Sequence, residues 1–112
     1  SALKDLKQST RQRFVALEFD YPEAEKEGRI VAREGGLDPE PAMKLVALAG
    51  KIRSIREQGL TEGASTRLLI HAARLMGRGI PQKEAVRTAV CLPLTDDERV
   101  LETLYDLIDD LF

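Results

Sequence analysis

Four residues in the stretch TEGASTRLLIHAARLMGRG, Thr61 to Gly79, could carry chemistry: Arg67, His71, Arg74 and Arg78. Their spacings of four, three and four residues put them on one stripe of a helix. Ser65 and Thr66 read as the helix start, so Arg67 falls in its first turn. A helix N-terminus already offers unpaired N–H groups and the positive end of the backbone dipole, an arrangement that suits anions. An arginine there adds a planar fork of donors matched to phosphate oxygens. Taken alone, the spacing favours a plainer reading, a solvated or ion-paired helix face. His71 has no second ligand at metal spacing and reads as a surface or packing histidine. Arg74 and Arg78 read as interface or solvent residues.

The elements that must position this stripe are mostly helices. The segment RFVALEFDY, with Phe14 to Phe19 nearly continuous in apolar and β-favouring residues, predicts one buried strand. Pro22 suits a first helical position, and PEAEKEGRIVARE has acids early and Arg33 late, with Gly35 and Gly36 as a stop. Asp38 caps a second helix whose seam is Leu45, Leu48, Ile52 and Ile55, ending near Gln58 and Gly59. The third helix carries the stripe and turns Leu68, Leu69, Ala72, Leu75 and Met76 to the core, with Gly77 and Gly79 closing it. Pro81 opens a short fourth helix through Ala85, Val86, Ala89 and Val90. TDDE reads as a capping box with Thr95 at the cap and Glu98 three residues on. Leu101, Leu104, Ile108 and Leu111 line the last helix. The expected fold is therefore mainly α, about five helices preceded by one strand that has no partner in its own chain. Such a strand is best explained as the end of a larger sheet.

Composition narrows the function. The chain has 112 residues, one domain by length, with 43% apolar and 32% charged residues, an ordinary globular balance. No apolar run approaches the roughly 20 residues needed to span a bilayer, and no leader peptide is visible. The single cysteine, Cys91, cannot form an internal disulfide, which makes a reducing cytoplasm the default location. Its place in the run AVCLPL suggests a small core residue rather than a reactive thiol. The net charge of −2 argues against a strong nucleic-acid binder. It hides a division: Lys44 to Arg78 holds seven basic and two acidic residues, Thr95 to Phe112 one basic and seven acidic.

LKDLKQSTRQRFVALEFDYP, then EGASTRLLIHAARLMGRGIPQKEAV, then PLTDD together resemble the C-terminal part of the MoxR-type AAA+ ATPases, in the CbbQ/NirQ/NorQ branch. The resemblance covers essentially the whole chain. It implies that residues 1–21 end a nucleotide-binding α/β core and that residues 22–112 form the helical lid. On that likeness Arg67 takes the sensor 2 position, reaching from the lid to the ATP phosphates and coupling lid angle to nucleotide state. Arg11 or Arg13, in TRQRF, would be the arginine finger supplied to a neighbouring subunit's nucleotide. The implied cofactors are ATP and magnesium in the longer protein. The implied partners are further copies in a ring, a hexamer, and a client enzyme, a metalloenzyme or Rubisco, with neither nucleic acid nor membrane.

The sequence has no G-x-x-x-x-G-K-[ST] phosphate loop, and no apolar strand ending in adjacent acids precedes TRQRF to hold magnesium. We therefore expect a fragment that is inactive alone, with no nucleotide bound to it. The unpaired strand is expected to drive a strand-mediated dimer through residues 1–21. The competing readings are a free-standing helical DNA-binding module, with Arg67 to Arg78 on a recognition helix, and a protein-interaction adaptor.

Overall fold

The computed structural model describes residues 21–55 and 64–112. The strand over Phe14 to Phe19, the dimer it would mediate, Arg11, Arg13 and the end of the second helix near Gln58 lie outside the described residues. Among the described residues the chain is helical, in five successive helices: α1 (Ala24–Gly35), α2 (Pro39–Ile55), α3 (Thr66–Gly77), α4 and α5 (Glu98–Leu111). The fourth, α4, runs without a break through an α segment Gln82–Val86, a π turn Arg87–Cys91 and a last turn Leu92–Leu94. No described helix is long and apolar enough to cross a membrane.

Each boundary has a local cause. Helix α1 begins two residues later than its proline predicts: Glu23 is the cap, and Tyr21 to Glu23 lie outside the helix. The Tyr21 ring lies against Arg53 on α2, at 3.6 Å from ring centre to guanidinium carbon. Gly36 ends α1 in the left-handed region (φ 67°), from where the Leu37 N–H returns to the Ala32 carbonyl at 2.9 Å. Ser65 caps α3, its hydroxyl accepting the Leu68 N–H at 3.3 Å. The last cap departs from the capping-box expectation. Asp97, not Thr95, accepts the first-turn N–H, from Arg99 at 2.9 Å. Thr95 is fully extended, and its hydroxyl closes a small turn by accepting the Asp97 N–H at 3.0 Å, which moves the start two residues on.

The π turn in α4 has a covalent reason. Pro93 has no N–H to give the Ala89 carbonyl, and its ring would crowd that carbonyl in a regular helix. Widening the preceding turn, with the Leu92 N–H bonding back to Arg87, accommodates the ring. The extra residue leaves Ala89, Val90 and Cys91 all buried in sequence.

Helix α1 packs on both α2 and α3; α4 joins α3 to α5, and α5 also packs on α2. Leu45, Leu48 and Ile52 of the expected α2 seam are fully buried with Val31, Leu69, Leu104 and Ile108, each side chain contributing about 1.5–3 kcal/mol. Small residues set the spacing between α1 and α3. A methyl group added at Gly35 would run into the Ala73 side chain, which has no flexible end to move away. Gly35→Ala should therefore destabilise by about 1–3 kcal/mol despite alanine's better helix propensity. Urea unfolding followed by circular dichroism measures it, and an unchanged midpoint would show that the two helices can separate freely.

Cys91 is a core residue, as its sequence context suggests. It is wholly buried, and burial pushes its thiol from 9.0 up to about 12, with the Arg87 charge acting weakly the other way. The folded chain thus keeps this proton when the unfolded chain has lost it. The contribution is complete below pH 9.0 and is lost between there and about pH 12. In that window stability should fall more steeply for the wild type than for Cys91→Ala, by up to about 1.4 kcal/mol per pH unit. Parallel curves for the two proteins would contradict this.

Candidate functional site

All four residues of the α3 stripe, Arg67, His71, Arg74 and Arg78, are exposed. The buried side of the same helix is Leu69, Ala72 and Ala73, with Leu68, Leu75 and Met76 half-buried. Arg74 is partly engaged: its Nε donates to the Glu34 carbonyl at the end of α1, at 3.4 Å. His71 stands in solvent, and no group of three or more His, Cys, Asp or Glu side chains converges among the described residues. Arg67 makes no ion pair with any described residue. It projects from the first turn of a helix whose start is anchored on both sides.

That anchor is the part of the site the sequence reading missed. Glu27 of α1 is 1% exposed and accepts three hydrogen bonds from described residues. Arg53 of α2 donates two in a fork, Nη1 to Oε1 at 2.8 Å and Nη2 to Oε2 at 2.6 Å. The Thr66 hydroxyl donates the third, to Oε2 at 2.7 Å. Arg53 also gives its Nε to the Ala64 carbonyl at 2.9 Å, and its flat face lies on the Tyr21 ring. One carboxylate and one guanidinium thus tie together α1, α2, the residues entering α1 and the turn that starts α3. In the sequence Glu27 is only one of several acids near the start of α1, a pattern that suits the helix dipole. A signal was present: Glu27, Val31 and Gly35 fall at i, i+4 and i+8, and the last two sit on the buried face of α1.

A second cluster braces the far end. Arg87 of α4 stacks on Tyr105 at 4.7 Å and approaches Asp109 at 3.5 Å, and Lys83 reaches the same carboxylate at 3.3 Å. All three side chains of this ion triad are about half exposed, so it orients α4 on α5 more than it stabilises them.

The described residues thus form five helices, with an exposed arginine in the capped first turn of α3. The family model described as CbbQ/NirQ/NorQ C-terminal matches residues 27–111. The chain belongs to that family, and with it to the C-terminal part of the MoxR-type AAA+ proteins. It is 54% identical over 110 residues to Protein NorQ of Paracoccus denitrificans, covering 98% of this chain and 41% of that protein. It is 50% identical over 107 residues to the denitrification regulatory protein NirQ of Pseudomonas aeruginosa, covering 96% and 41%. Against Protein CbbQ of Hydrogenophilus thermoluteolus it is 46% identical over 112 residues, covering 100% and 42%. The chain therefore spans about two fifths of the length of these relatives.

Proposed function

We propose that residues 1–112 serve as the C-terminal piece of a longer AAA+ ATPase of the MoxR type. Residues 1–21 complete its α/β core and supply Arg11 or Arg13 as the finger for the next subunit, and residues 22–112 are the lid. Arg67 is the sensor 2 residue, directed at the phosphates of ATP and magnesium held by the core. The assembled cytoplasmic ring uses ATP turnover to remodel a client, a metalloenzyme or Rubisco. The observation that carries this reading is an exposed arginine in the capped first turn of α3, within a domain of the CbbQ/NirQ/NorQ C-terminal family. Such an arginine adds to the local dipole instead of opposing it, which makes sense beside an anion. The name of the Pseudomonas relative, a denitrification regulatory protein, supports a regulatory role toward a client.

The test begins with residues 1–112 alone. Calorimetry with ATP and magnesium should give weak binding at most and no released phosphate, because the sequence carries no phosphate loop. Micromolar binding with turnover by this chain would overturn the reading.

A further inference from the structure

Glu27 is the one polar or charged side chain fully buried among the described residues, and it sits one hydrogen bond away from the residue preceding Arg67. Its three bonds and those of Arg53 join protein groups to one another. Both Nη groups of Arg53 bind Glu27, its Nε binds Ala64, and its face covers Tyr21. The pair is therefore committed to the fold and is not a ligand site. Nor is stability a sufficient reason for it, because well-packed apolar residues of similar volume commonly hold a core as well as a buried ion pair does. What an apolar pair lacks is direction. A forked guanidinium–carboxylate contact fixes the plane, distance and rotation of the groups it joins. Here those groups are Tyr21, where the chain enters the helical domain, and Ala64 to Thr66, where α3 begins.

We infer that Glu27, Arg53 and Thr66 are positioning residues for Arg67, fixing the first turn of α3 relative to the entry segment at Tyr21. This rests on the reading of Arg67 as a nucleotide contact. Thr66 is the residue that tests it most cleanly. It is half-buried, its hydroxyl bonds Glu27 and no other side chain among the described residues, and valine has nearly its shape.

The experiment measures kcat and KM for ATP, with melting temperature, in the full-length protein carrying Thr66→Val, Thr66→Ser, Arg53→Lys or Arg67→Ala. Thr66→Val should lower kcat roughly tenfold to a hundredfold, the scale on which small misplacements act, with KM changing much less. Thr66→Ser, which keeps the hydroxyl, should restore kcat. Arg53→Lys, which keeps the charge but not the fork, should repeat the loss. Normal kcat in Thr66→Val and Arg53→Lys beside an impaired Arg67→Ala would overturn the positioning role and leave the nucleotide reading of Arg67 standing. A lowered melting temperature with unchanged kcat would likewise overturn it, reducing the network to a structural tie. An Arg67→Ala protein with full turnover would instead remove the nucleotide reading itself.

Discussion

Replacing Glu27 by alanine is expected to lower the stability of the helical domain by about 3–5 kcal/mol, the range for breaking a buried ion pair by removing one partner. The loss has three sources. Arg53, whose side chain is only 13% exposed, keeps its charge with no carboxylate beside it. Thr66 loses the acceptor for its hydroxyl, and the space left by the side chain lies between α1, α2 and the start of α3. Small domains have roughly 5–15 kcal/mol in all, so this one change should remove a large share of the total. A urea titration followed by circular dichroism would show it as a lowered midpoint with little change in slope. The double variant Glu27→Leu with Arg53→Met should recover much of the loss, because it removes both charges together. A Glu27→Ala midpoint within about 1 kcal/mol of the wild type would mean that water reaches Arg53 and that the pair is not buried in solution.

The contrast between that network and the rest of the fold explains what could be read without coordinates. Helix α2 was legible because Leu45, Leu48 and Ile52 repeat at helical spacing and all three are fully buried. Helix α3 was legible from both sides, since Ser65 does cap it and its charged stripe does stay in solvent. Boundaries failed where a short-range side-chain bond competed with the obvious cap, as Thr95 does by turning back to the Asp97 N–H. The π turn was invisible because it answers to Pro93 and to packing at once, and hydrophobic spacing carries neither. The anchor at Glu27 failed for a different reason. Its partners lie 26 and 39 residues away in sequence, at Arg53 and Thr66, and only folding brings them together. The exposed, capped stripe of α3 was therefore readable from one helix, whereas the network at its start was not.

Arg67→Ala should separate function from stability, with effects of opposite sign. In residues 22–112 the side chain is exposed and has no ion pair among the described residues. Its positive charge also stands at the positive end of α3, where a cation is disfavoured by about 0.3–1 kcal/mol. Alanine removes that repulsion and is the better helix former. The variant should therefore melt at the same temperature as the wild type or slightly above it. In the full-length protein the same change should reduce ATP turnover by a factor of roughly 10² to 10³, the cost of losing one donor aimed at charge that develops in the transition state. A residue that is mildly unfavourable to its own helix yet needed for turnover is what a stability–activity trade-off predicts for a functional arginine. Melting curves of the chain and steady-state ATPase rates of the full-length protein test the two halves separately. A melting temperature lowered by several degrees would make Arg67 a structural ion-pair residue with partners outside the described segment. Unaltered turnover would return it to the plainer reading of a solvated helix face.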